Sequence, residues 1–219
     1  MEQHSKYDLV IFDVDGTVLD TTEGVLASVK HTIRYYNFPM LSDEILKTFI
    51  GPPIQNSFAE AYNLQGAILQ DIATVFRNQY KNIDLLKAVP YPGIYDVFRA
   101  IKDAGKQSAI ATYKRQDYAK SLLEHFGFQE YTPYIYGADH ENKLKKRDII
   151  EKCILDSGVR DLKKVVMVGD SDNDAIGADA IGVDFIGVTY GFGFHTTKDV
   201  DRFKNVACVQ EPKELIKYL

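Results

Sequence analysis

Tyr7 to Thr21 reads YDLVIFDVDGTVLDT, and the rest of the chain is organised around it. The run Leu9-Val10-Ile11-Phe12 is apolar, rich in β-branched residues and bounded by turn formers, so it reads as a buried strand. Asp13 and Asp15 follow, then Gly16-Thr17. If extended geometry persists that far, alternation aims both carboxylates the same way. In an open parallel sheet, ligands bind beyond the carboxyl ends of the strands. Turn chemistry accounts for Gly16 and one aspartate. It does not account for two acids two residues apart, because like charges repel unless a cation sits between them.

Two close carboxylates suit Mg²⁺, which takes hard oxygen ligands. An aspartate can also attack phosphorus and carry the phosphoryl group as an aspartyl phosphate. Asp13-Val14-Asp15-Gly16-Thr17-Val18-Leu19-Asp20 resembles the first motif, DxDGTxxD, of the haloacid-dehalogenase (HAD) superfamily of phosphatases.

The 219 residues exceed one typical domain, which leaves room for one core plus a sizeable insertion. A hydrophobic fraction of 45% supports a packed core and argues against disorder. A net charge of −5 gives no basic footprint for a nucleic acid polymer, so an anionic substrate needs local positive charge or a metal. Two cysteines, Cys153 and Cys208, are too few for a disulfide framework. With no apolar run of membrane length and no signal peptide in MEQHSKY, a cytoplasmic protein with no membrane partner is expected.

Past Asp20 the patterns read as helices only: Gly24 to Tyr36, a short one from Ser42, Ile54 to Tyr62, and Ala67 to Leu86. From Gly93 helices and strands alternate. Strands are expected at Gln107–Ala111, Tyr134–Tyr136, Val165–Val168, Phe185–Val188 and Val206–Val209. Helices are expected at Ile94–Ala104, Gln116–Phe126, Lys146–Ser157, Ala175–Ala180 and Pro212–Leu219. Such alternation implies a parallel sheet covered on both faces. The expected architecture is an α/β, Rossmann-like, doubly wound core made of residues 1–19 and 89–219. An all-helical cap domain, residues 20–88, is inserted into it.

Met167-Val168-Gly169-Asp170-Ser171-Asp172-Asn173-Asp174 resembles the GDSxxD motif of the same superfamily, correctly ordered after the first. The resemblance implies that Asp13 is the nucleophile and Asp15 the general acid and base. It implies that Mg²⁺ is held by Asp13, the Asp15 carbonyl and Asp170, with Asp174 supporting the site from behind. Asp172 reads as a solvated helix-start residue. Thr112, at the end of Ala109-Ile110-Ala111, stands where the family binds the transferring phosphoryl group; a strand-end cap is its bland reading. One lysine of Lys143-Leu144-Lys145-Lys146-Arg147 is expected to balance phosphoryl charge. Lys146 fits the common Lys-x-[DE]-[IV]-I form best, and Lys143 and Lys145 stay open. After Thr112 the family often has Ser or Asn and then Lys-Pro, and here Tyr113-Lys114-Arg115 departs from that.

The helical insertion is similar to the small cap of the branch that includes phosphoglycolate phosphatases and 5′-nucleotidases. Gly51-Pro52-Pro53 looks like that branch's cap specificity loop; an interhelix turn is the plain alternative. Gly187 to Gly193 looks like its loop after the fourth core strand. His4, His31, His125, His140 and His195 are scattered and read as ordinary residues. The function implied is Mg²⁺-dependent hydrolysis of a small phosphate monoester such as 2-phosphoglycolate or a nucleoside monophosphate. A phosphomutase, or a non-catalytic phosphate-binding protein, is the alternative. A dehalogenase is disfavoured because Asp15 is present. Substrate and oligomeric state stay open.

Overall fold

The computed structural model describes residues 6–139 and 143–219, so His4 and His140 lie outside the described residues. β1 (Leu9–Phe12) leads through a tight turn to β2 (Leu19–Asp20). Four helices follow: α1 (Thr22–Tyr35), α2 (Asp43–Lys47), α3 (Ile54–Tyr62) and α4 (Ile68–Gln79). α4 runs on into one π turn, Tyr80–Asp84, and β3 (Val89–Pro90) pairs with β2 where the chain returns. Helix and strand then alternate: α5 (Ile94–Asp103), β4 (Gln107–Arg115), α6 (Gln116–His125), β5 (Ile135–Ala138) and α7 (Lys146–Ser157). They continue as β6 (Val165–Gly169), α8 (Asp172–Ile181), β7 (Asp184–Val188), α9 (Thr197–Val200) and β8 (Ala207–Val209).

Several boundaries differ from the sequence reading. β4 runs on to Arg115, past a shift in register between Ala111 and Arg115, so Thr112 is within the strand rather than at its end. α8 starts at Asp172, three residues early, because Ser171 and Asp174 form a capping box. α9 was not expected. Pro212–Lys217 is a 3-10 helix rather than an α-helix, the tighter form that such a short piece of chain can take.

Six strands form one parallel sheet in the order β5-β4-β1-β6-β7-β8. Both faces are covered, which is why β1 reads as an unbroken apolar run. Leu9 and Ile11 join Ala109, Met167 and the α7 residues Ile149, Ile150 and Cys153 in one buried cluster. Phe12 points the other way, its ring 4.7 Å from that of Phe98 on α5. Each such side chain, fully removed from water, contributes about 1.5–3 kcal/mol. The chain winds outward from β1 through β4 to β5, then crosses back to β6 on the other side of β1. β1 therefore flanks the point where strand order reverses, the usual place for a ligand crevice.

The chain divides into two compact units, one made of residues up to Leu19 with Pro90–Leu219, the other of Asp20–Val89. The second unit is helical and has its own core, with Val29, Ile33, Leu46, Phe49, Phe58 and Ile72 all buried. Its closing element is Asp84, which accepts from Ser28 Oγ at 2.8 Å and Gln79 Nε2 at 2.9 Å and pairs with Lys87 Nζ at 2.8 Å. Gly24 is required beside it: a Cβ there would lie 2.4 Å from the Asp84 carbonyl oxygen. Among the described residues, no helix is long and apolar enough to cross a membrane.

Candidate active site

Register brings the acidic residues together. Phe12 is level with Ile110 of β4 and with Val168 of β6, so Asp13 and Asp170 follow the carboxyl ends of β1 and β6 while Thr112, inside the longer β4, stands beside them. The Asp13 N–H extends the ladder by donating to the Val168 carbonyl at 3.0 Å. Asp13 shares parity with Leu9 and Ile11, which face α7, so its carboxylate is aimed at the start of that helix.

Lys146, the first residue of α7, stands there. Its Nζ lies 2.6 Å from Asp13 Oδ1 and 2.6 Å from Asp174 Oδ1, and its side chain is buried. Of the three candidate lysines it alone turns inward; Lys143 and Lys145 are exposed. α7 and α8 can approach because Gly177 is small, a Cβ there coming within 3.0 Å of Lys146 Cγ. Asp174 is fixed by the α8 cap, its Oδ2 accepting from Ser171 Oγ at 2.7 Å and from Ser171 N–H at 3.2 Å.

Asp170 is held differently. Its Oδ2 accepts from the backbone N–H groups of Phe192 at 2.6 Å and Gly193 at 3.0 Å. Glycine is required at Gly16, whose φ is +84° and whose Cβ would fall 2.1 Å from Asp170 Oδ2. Carboxylate oxygens of Asp13, Asp170 and Asp174 all lie within 4.8 Å of one another, and all three residues are buried. Asp172, by contrast, is exposed.

The Asp15 side chain pairs with Lys114 Nζ at 3.0 Å. Thr112 is buried and its Oγ1 accepts from the Lys114 N–H at 3.1 Å. Tyr113 reaches α7, its Oη accepting from the Lys146 N–H at 2.8 Å. Thus Tyr113 and Lys114, the departure from the family pattern, both contact the site's residues. Sequence spacing assigned neither a role; only their place directly after Thr112 marked them. Gly51, Pro52 and Pro53 belong to the helical unit, as an exposed turn before α3.

The chain matches the family model described as haloacid dehalogenase-like hydrolase over residues 10–188. It belongs to that family. HAD relatives agree along most of the chain. A 5′-nucleotidase from Pseudomonas aeruginosa is 29% identical over 188 residues, covering 86% of this chain and 85% of that one. A phosphoglycolate phosphatase from Agrobacterium fabrum is 30% identical over 191 residues, covering 84% and 81%. The crystal structure of a predicted phosphatase from Clostridium acetobutylicum superposes with a TM-score of 0.87 at 31% identity, covering 97% of this chain and 98% of that one.

The electrostatics of this HAD site favour a divalent cation. Three buried carboxylates share one ammonium. Burial raises the Asp13 carboxyl, Lys146 opposes that, and Asp174 and Asp15 raise it further; the net direction is up. Asp170 is pushed up to about 8 by burial, then by Asp174 and Asp13, against the pull of the Phe192 and Gly193 amides. Burial alone would lower the Lys146 ammonium, but Asp13 and Asp174 outweigh it and raise its pKa, so it stays charged. Packed carboxylates with too little positive charge fit a hard cation bound by oxygen.

Proposed function

We propose that this HAD phosphatase hydrolyses small phosphate monoesters, of the 2-phosphoglycolate or nucleoside monophosphate type, through an aspartyl phosphate on Asp13. The observation that carries the reading is the meeting of Asp13, Asp170 and Asp174 around the buried Lys146 ammonium at the carboxyl ends of parallel strands. The named activities of the P. aeruginosa and A. fabrum relatives support the substrate class.

Asp13 attacks phosphorus and the bond to the leaving oxygen breaks, while Asp15 gives that oxygen a proton. Asp15 then takes a proton from water as the water oxygen attacks phosphorus. The acyl phosphate bond breaks, orthophosphate leaves and the Asp13 carboxylate is restored. Asp15 is engaged by Lys114 in this structure, so it must turn from Lys114 toward the leaving oxygen. Lys146 holds Asp13 in place and, with Thr112, takes the phosphoryl oxygens. Asp13, the Asp15 carbonyl and Asp170 would hold Mg²⁺, with Asp174 anchoring Lys146 behind them. When bound, Mg²⁺ supplies charge neutralisation for the phosphoryl oxygens. Gly51, Pro52 and Pro53 are assigned a part in selecting the leaving group.

The test is phosphate release from a panel of phosphate esters with Mg²⁺ and with EDTA. Release that needs Mg²⁺ and falls below a few per cent in Asp13→Asn is expected. Undiminished release by Asp13→Asn would overturn the nucleophile assignment.

A further inference from the structure

The mechanism leaves the hydroxyl of Tyr190, a half-buried residue beside the site, unused. Tyr190 lies on the loop after β7, two residues before Phe192, which with Gly193 supplies the amides that hold Asp170. Its Oη donates to the Thr17 carbonyl at 3.0 Å. Its ring lies 4.8 Å from that of Tyr91, and the Tyr91 N–H donates to the Val18 carbonyl at 3.1 Å. Two tyrosines, their rings packed at a tilt of 58°, therefore hold two consecutive carbonyls of the turn after the nucleophile. That turn also packs against the loop without a gap. A Cβ on Gly191 would come within 2.3 Å of the Gly16 carbonyl oxygen and 2.4 Å of Asp170 Oδ2. A Cβ on Gly193 would meet the Asp170 carbonyl oxygen at 2.5 Å.

We propose that Tyr190 is a positioning residue whose hydroxyl locks the Asp13–Leu19 turn to the 189–193 loop, so that Asp13 and Asp170 are held at a fixed separation. Two loop amides fix Asp170 Oδ2, and a carboxylate oxygen of Asp170 lies within 4.8 Å of one on Asp13. The turn carries Asp13 at one end and the loop carries the amides that orient Asp170. Any slippage between turn and loop therefore changes the distance across the site. Groups that orient metal ligands from behind commonly affect affinity and rate as strongly as some ligands do. The metal part rests on the reading of Asp170 given above.

Tyr190→Phe keeps the ring and removes only the hydroxyl. Its comparison is Tyr7→Phe, which removes another tyrosine hydroxyl bond, to Asp184 Oδ2 at 2.8 Å, at the amino end of β1. Mg²⁺ binding is followed by calorimetry without substrate, and kcat and KM by phosphate release at saturating Mg²⁺. Tyr190→Phe is expected to weaken Mg²⁺ binding and to lower kcat by about five- to tenfold each, with KM within about twofold. Tyr7→Phe is expected to lower the thermal midpoint while leaving Mg²⁺ affinity and kcat unchanged. Mg²⁺ affinity and kcat within twofold of the parent in Tyr190→Phe would overturn the proposal. So would equal losses in both variants, since the effect would then follow stability alone. Asp170→Ala in the same calorimetry separates the two readings. If it leaves Mg²⁺ affinity unchanged, the metal assignment fails. If it abolishes binding while Tyr190→Phe does not weaken it, the Tyr190 proposal fails alone.

Discussion

Lys146 Nζ lies 2.6 Å from Asp174 Oδ1, so the first turn of α7 and the first turn of α8 are tied by one buried ion pair. The same ammonium reaches Asp13 at 2.6 Å and is the internal counterion for the carboxylate cluster. Lys146→Met would leave Asp13, Asp170 and Asp174 together with no ammonium. Breaking a buried pair from one side costs about 3 kcal/mol. Urea unfolding in EDTA should show a loss of that order, and kcat should fall at least about 100-fold. A kcat near that of the parent would remove Lys146 from the catalytic set.

Asp13→Asn should abolish phosphate release while keeping the fold. The amide is nearly isosteric, and Lys146 still has Asp174 as its partner. Rapid acid quench with a labelled phosphate ester should trap phosphoprotein in the parent and none in the variant. Labelled protein from Asp13→Asn would place the nucleophile elsewhere.

Gly16→Ala should harm both stability and metal binding. The new methyl would fall 2.1 Å from Asp170 Oδ2, at a φ of +84° that disfavours any side chain. The cost should be about 1–3 kcal/mol in urea unfolding. Calorimetric Mg²⁺ affinity should fall with it, because the displaced atom is on Asp170. Gly127→Ala is a suitable comparison, with a φ of +76° but nothing within 4 Å of the added Cβ. If both variants bind Mg²⁺ equally well, the contact with Asp170 is of no consequence.

The helical unit carries its own pH dependence through Asp84. Burial alone would raise this carboxyl, but bonds from Lys87, Gln79 and Ser28 outweigh it and hold it below the usual range. A depressed acid contributes stability above its unfolded pKa of about 3.9, and that contribution is lost as pH falls through the lower folded value. Asp84→Asn should therefore cost about 1–2 kcal/mol at pH 7 and progressively less below about pH 4. Urea titrations at pH 7 and pH 3 measure the difference. A constant cost at both pH values would mean that charge at Asp84 is irrelevant.

Pro53→Gly should change the order of preference among phosphate esters more than it changes the chemistry. Pro53 caps α3 at a φ of −57° and is exposed, so its loss loosens the Gly51–Pro53 turn without opening a core. The measure is kcat/KM across the ester panel for parent and variant. A uniform fall for every ester would remove this turn from substrate selection.

Much of this was legible in the chain because the signals are local. The buried strand Leu9–Phe12, the alternation of helix and strand after Gly93 and the strand-less block after Asp20 follow from apolar period and turn residues, which act over a few positions. Asp13 and Asp170 were readable as acids at strand ends for the same reason. Other features needed the folded molecule. Which of Lys143, Lys145 and Lys146 turns inward depends on the phase of α7 against β1. The pairing of Lys114 with Asp15 depends on β4 running past Thr112, a shift of register that no short pattern encodes. The Phe192 and Gly193 amides on Asp170 and the Tyr190 hydroxyl on Thr17 join segments more than twenty and more than 170 residues apart. Backbone groups carry no residue-type signal, and only the order of the strands brings those segments to one end of the sheet.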